Sequence, residues 1–344
     1  MGAAMTIFSI ETRPLQTDAA PGVDALVDAI ALLGGGEPDE AAVLSGAAFR
    51  TYYLTPDDNH AYKEVISPRE WAWGSLEVEN YGVLESLATH LDRDLRLWSF
   101  QRPADLAALA RVELEAGRPL LLGFGHEPTR LVLANAIEVG PRRFALEHGA
   151  DPNAAGVAEP DRFGFGELER WREDDVRPRY ALTVRAGVEP ASARRRELLR
   201  RDVLTFAGRH ARSRKELSYS EELFYASGLR AWEVAAESLV ERWRPEDAEA
   251  FDPFWRAWSQ SLRRARTAAA QVLDRWSADE PALAEAARAY SEVADAVPVV
   301  SGAVEWTDYI LRSHLADALR AGADRDAAAL AALARAVENF EPLE

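Results

Sequence analysis

The sequence predicts an α+β first half followed by an all-α helical second half, and three observations carry that division. Up to residue 187, short apolar or alternating runs punctuated by Gly and Pro are interleaved with amphipathic stretches. From about Pro190 onward, long Ala-, Arg- and Glu-rich amphipathic stretches take over and strand character almost vanishes. Finally, 344 residues exceed what one core usually organises, so two domains are expected, 1–187 and 188–344.

The first helix runs from Pro21 to Leu33, with Val23, Leu26, Val27 and Ile30 on one face, and stops at Gly34-Gly35-Gly36. Ala42–Leu54 then reads as a bend passing into the β-prone Thr51-Tyr52-Tyr53-Leu54, ended by the polar turn Pro56-Asp57-Asp58-Asn59. Ser75 caps a helix reaching Leu91, whose Leu76, Leu84, Leu87, Ala88 and Leu91 lie near helical spacing. Pro103–Ala116 forms a shorter helix closed by Gly117, and the apolar run Pro119–Phe124 that follows is short enough to be a buried strand. Leu131–Val139 and Arg143–Glu147 make a hairpin around Gly140-Pro141, and Tyr180–Arg185 adds a fourth strand. In the second half, helices are predicted over Ala191–His210, Ser220–Arg242, Asp247–Trp276, Glu280–Val297 and Val304–Phe340, the last broken at Ala321-Gly322.

Composition excludes several classes of function. The chain has no cysteine, which removes disulfides, thiolate nucleophiles and cysteine-held metal or iron–sulfur sites together. A formal net charge of −17 repels nucleic-acid phosphate and anionic lipid, and no basic stripe overrides it, so nucleic-acid binding is not expected. No stretch reaches the roughly 20 apolar residues of a membrane span and the N-terminus carries no signal pattern, so a cytoplasmic location with no membrane partner is expected. Ala- and Arg-rich usage points to a GC-rich bacterial genome. There is no phosphate-binding Gly-Lys-Ser/Thr loop, dinucleotide fingerprint, Gly-x-Ser-x-Gly elbow or His-Glu-x-x-His pair, and no cofactor or metal is expected.

Several segments together carry a resemblance. They are the helix after Pro21-Gly22, the stretch Leu44-Ser45-Gly46-Ala47-Ala48-Phe49-Arg50, Glu115–Leu122 leading into a strand, Leu131–Val139 and Phe144–Glu147 leading to Asp151-Pro152, and Gly228-Leu229-Arg230-Ala231-Trp232-Glu233. In this organisation the chain resembles the papain-like fold of bacteriocin-processing peptidase relatives and the butirosin biosynthesis acyltransferase family. The resemblance implies a nucleophilic cysteine at the start of the first helix, where Gly22-Val23-Asp24-Ala25 stand instead. It implies a histidine opening the strand that here begins Thr129-Arg130-Leu131, and an orienting acid at the place of Asp151. With one role of three filled, papain-type acyl transfer is excluded.

What is left in the implied cleft has two readings at each point. His126 and Glu127, at the end of a predicted strand between Gly125 and Pro128, can serve acid–base chemistry or be a solvated turn. His148 with Glu147 and Asp151 is a residual acid–base group or a strand-end ion pair, and its spacing fits no zinc template. Trp71 and Trp73, ahead of Tyr81, form either an aromatic wall for a ligand or a packing device. Trp232, Trp243, Trp255, Trp258 and Trp276 are expected to fill core or interface, with a pocket wall as the alternative. Arg194, Arg195, Arg196, Arg200 and Arg201, and Arg263, Arg264 and Arg266, are expected on solvated helix faces.

The leading expectation is a catalytically degenerate papain-like protein that binds a small molecule, peptide or carrier-linked acyl group, with natural-product biosynthesis as the implied setting. Arg50, Trp71, Trp73, Tyr81, His126 and Asp151 would be its ligand contacts. The alternatives are a non-thiol hydrolase or isomerase working through His126 with Glu127 or His148 with Asp151, and a non-catalytic assembly protein, possible as a homodimer.

Overall fold

Among the described residues every strand pairing is antiparallel, and the strands fall into two sheets belonging to two separate units. The computed structural model describes residues 6–9, 38–44, 46–56, 92–99, 103–118, 120–124, 130–140, 143–148, 178–186, 197, 200–205, 208, 214–218 and 223–338. One unit comprises Met1–Pro38 and Leu76–Arg196; the other comprises Asp39–Ser75 and Glu197–Glu344. The expected boundary near Ala186–Pro190 lies close to the third crossing between units, after Arg196, whereas residues 39–75 group with the helical half. The predicted helices Pro21–Leu33 and Ser75–Leu91 lie outside the described residues.

The first unit holds a six-stranded sheet of β1 (Thr6–Ser9), β3 (Arg93–Ser99), β4 (Leu120–Phe124), β5 (Arg130–Gly140), β6 (Arg143–His148) and β7 (Pro178–Ala186). Its order is β1-β5-β4-β7-β3, with β6 also on β5. The predicted hairpin is present, Gly140 pairing with Arg143 and Val139 with Phe144. β1 and β3 went unpredicted because their registers are set by partners more than 80 residues away, Val139 facing Thr6 and Ala186 facing Arg93.

One described helix, α2 (Pro103–Glu115), packs on β1, β4 and β5. Proline suits its first position because the missing N–H has no intrahelical partner there. It ends as Gly117 predicts. That glycine takes φ 69°, its N–H reaches the Leu114 carbonyl at 2.9 Å, and the Arg118 N–H reaches the Glu113 carbonyl at 2.9 Å. Leu106, Ala110 and Leu114 are buried on the helix's inner face, and Glu113 is buried with them. A buried carboxylate needs partners, and Glu113 has two: the Arg118 Nε at 2.6 Å and the Arg185 guanidinium of β7. Burial pushes its pKa up, but the hydrogen bonds and charges of Arg118 and Arg185 prevail and hold it below the ordinary carboxylate value.

The second unit is helical but carries its own sheet, β2-β9-β8, formed by β2 (Tyr52–Pro56), β8 (Arg214–Ser218) and β9 (Leu223–Gly228). This corrects two expectations, an all-α second half and a helix over Ser220–Arg242. The helix, α3 (Leu229–Val240), begins only after Gly228, which takes φ 63°. Leu223–Gly228 pair instead with β2, a strand about 170 residues earlier, which no local periodicity could reveal. Ahead of β2 lie α1 (Pro38–Leu44) and a single 3-10 turn at Ala47–Phe49.

α4 (Ala248–Ser277), α5 (Leu283–Ala296) and α6 (Tyr309–Glu338) complete the unit, α4 packing on α5, α5 on α6, and α6 on α3. The predicted break at Ala321-Gly322 is absent. Gly322 is a point of close approach: a Cβ there would lie 2.6 Å from Cζ3 of Trp232. The tryptophans behave as core, Trp232 and Trp255 being fully buried. Phe251, Trp255, Trp258, Trp306 and Tyr53 extend the cluster through ring contacts of 5.0–5.8 Å.

Arg266 overturns the expectation of a solvated basic face. It is fully buried, and all five of its N–H donors are used. Nε and Nη2 reach the two carboxylate oxygens of Asp326 at 3.0 and 2.8 Å, Nη1 reaches the carbonyls of Ala48 and Arg50, and Nη2 also bonds Thr51 Oγ1. Asp326 in turn accepts the Trp232 indole N–H at 2.9 Å. α4, α6, α3 and the turn before β2 are thereby tied at one point.

Candidate functional site

A ligand can only use a site that it can reach. The Arg266–Asp326 centre is closed, with side-chain exposures of 0% and 1%, so it serves the fold. The described residues offer a more accessible place in the second unit, where residues 200–205 form helix beside the α4–α5 turn. Glu197, Arg200 and Leu204, three and four residues apart in turn, present one helical face. Facing them is Trp276, in the last turn of α4. The chain then turns tightly, the N–H groups of Asp279 and Glu280 both bonding the Trp276 carbonyl at 3.1 and 2.9 Å, and enters α5 at Leu283.

Glu197, Arg200, Leu204, Trp276, Asp279, Glu280 and Leu283 line a partly open cavity of about 190 Å³. Its floor is apolar: Leu204 and Leu283 are 1% exposed and Trp276 is 7% exposed. Its walls are polar, with the carboxylates of Glu197, Asp279 and Glu280 against a single guanidinium, Arg200. Arg200 lies over the Trp276 ring, 4.6 Å from its centroid, and its Nη2 is 3.9 Å from a carboxylate oxygen of Glu40 on α1. Its Nε is buried with no hydrogen-bond partner among the described residues.

The lining contains no hydroxyl, thiol, imidazole or amine; its charged groups are the carboxylates of Glu197, Asp279 and Glu280 and the Arg200 guanidinium, which can hold and orient a guest by charge and hydrogen bonds. In size it suits a group about as large as a ring: a dry cavity of about 150 Å³ accommodates benzene, whereas sites for whole drug-sized ligands run to several hundred Å³. Among the described residues, no three His, Asp or Glu side chains come together as metal ligands, and no helix is long and apolar enough to cross a membrane.

The residues singled out from sequence are placed as follows. Arg50 is buried at 6% exposure in the second unit, and its carbonyl accepts from Arg266 at 3.1 Å. Glu147 and His148 end β6, opposite Ala136 and Ala134 across an irregularity in register. Trp71, Trp73, Tyr81, His126, Glu127 and Asp151 lie outside the described residues. The Trp276 cavity was missed as a site because its parts are separated by about 70 residues of sequence. The available signals were a tryptophan closing a long amphipathic helix and a basic run with one arginine in register with an acid and a leucine. The chain matches no protein-family model and no curated protein.

Proposed function

We propose that this protein works by holding a ligand, not by covalent catalysis, and that it is a papain-like chain whose acyl-transfer machinery is gone. The observation that carries the reading is the cavity beside Trp276, which has an aromatic floor and charged walls but no hydroxyl, thiol or imidazole for acyl transfer. Two further features support it, one in the first unit and one of the whole chain. The antiparallel β5–β6 hairpin lies where the resemblance calls for the histidine and acid strands, and β5 opens on Arg130 instead of histidine. The chain also has no cysteine to act as nucleophile. The ligand class that fits is a small molecule, a peptide side chain or a carrier-linked acyl group presenting one ring-sized portion, consistent with the natural-product setting that the resemblance implies.

A melting-temperature screen of ring-sized fragments tests this. A compound that binds the native state raises the melting temperature with concentration, by a free energy of RT ln(1 + [L]/Kd). The expected result is a set of fragments that stabilise the wild type and lose the effect in Trp276→Leu. Fragments that stabilise both proteins equally would place the ligand elsewhere and refute the assignment.

A further inference from the structure

The cavity's own chemistry narrows the ligand, and this narrowing rests on the binding reading above. We propose that the Trp276 cavity is a site for an organic cation, an alkylammonium or guanidinium group, and that Arg200 is a built-in plug which such a ligand displaces. An indole face attracts a cation through its quadrupole, and Trp276 already has one 4.6 Å from its ring centroid. The carboxylates of Glu197 and Asp279 alone outnumber the one guanidinium of the lining, so the walls favour positive charge even with Arg200 in place.

The helix ends do not alter that sign. The C-terminal end of α4 favours a cation and the N-terminal end of α5 an anion, and the two meet at this one turn. The side chains therefore decide.

Arg200 is loosely enough held to leave. Its charge partner Glu40 stands at 3.9 Å, beyond hydrogen-bonding distance, and its Nε has no acceptor among the described residues. Arg266 in the same unit, with all five donors bonded, shows what a structural arginine looks like here. A ligand cation that took the indole face would release Arg200 toward Glu40 and solvent, and would gain the carboxylates as hydrogen-bond acceptors.

Isothermal titration calorimetry of the full chain with n-butylammonium, neutral n-butanol and butyrate tests the proposal. Butylammonium is expected to bind at one site per chain, weakening with added salt, with Arg200→Gln tightening it by about three- to tenfold and Trp276→Leu abolishing it. The Arg200 side chain is 33% exposed, so Arg200→Gln remains informative even if Trp276→Leu fails to fold. Butyrate or butanol binding as well as butylammonium, with no gain from Arg200→Gln, would overturn the cation assignment and leave the cavity as a binding site. No heat from any of the three probes would overturn the cation site, while the fragment screen against Trp276→Leu decides the binding reading separately.

Discussion

Asp326→Asn removes a charge while keeping shape, and so leaves the Arg266 guanidinium buried without its counter-ion. Both side chains are sealed from solvent, with two direct hydrogen bonds of 3.0 and 2.8 Å between them. Breaking such a pair from one side costs about 3–5 kcal/mol, because the remaining charge has neither water nor an anion. In a unit of this size each kcal/mol moves the melting temperature by about 2–4 °C, so the variant is expected to melt roughly 6–20 °C lower. Helical circular dichroism is the suitable assay, since the four long helices α3 to α6 all lie in the affected unit. The double variant Arg266→Met with Asp326→Leu removes both charges and is expected to lose less than the sum of its single changes. It does not return to wild type, because the Ala48 and Arg50 carbonyls lose their donor, at about 1–3 kcal/mol for each group left unsatisfied. An Asp326→Asn protein melting within about 2 °C of wild type would refute the pairing.

Three further outcomes follow from the same packing. Gly322→Ala places a methyl 2.6 Å from an indole that is fully buried and held by its bond to Asp326, and is expected to destabilise by about 1–3 kcal/mol in a urea titration, where most helix-interior Gly→Ala changes stabilise. Because Glu113 has a pKa below its ordinary 4.5, it adds stability above that value which fades as pH falls through the folded pKa; Glu113→Gln should flatten the acid limb of a melting-temperature profile between about pH 5 and pH 2, and an unchanged limb would refute its role. The Ser238 hydroxyl is 2.8 Å from the Ala235 carbonyl and 2.6 Å from the Tyr53 hydroxyl, so Tyr53 donates and Tyr53→Phe should cost only about 1 kcal/mol by denaturant unfolding.

Local pattern made much of the fold legible. The Pro103–Glu115 helix with its Gly117 stop, the β5–β6 hairpin, and the limits of α4 and α5 to within three residues all follow from periodicity and capping, which act within a turn or two of chain. Whatever depended on distant partners was not legible. β9 reads as helix because β2, its sheet partner, comes from a segment about 170 residues earlier, and β8, which pairs with β9, does not read as a strand. Gly322 read as a break because its reason is the Trp232 ring, about 90 residues away. Arg266 read as solvated because Asp326 is 60 residues on. The same limit hid the candidate site, since a carboxylate–indole cavity built from residues 197–204 and 276–283 leaves no motif in either segment.

The most direct test of ligand holding at Trp276 is a crystal structure of the protein soaked in n-butylammonium, beside a second crystal soaked in n-butanol. The expected result is butylammonium density over the Trp276 ring, its nitrogen within hydrogen-bonding distance of the Glu197 or Asp279 carboxylate, with Arg200 swung away. An Arg200 guanidinium still seated on the indole, with no density from either compound in the cavity, would contradict the account.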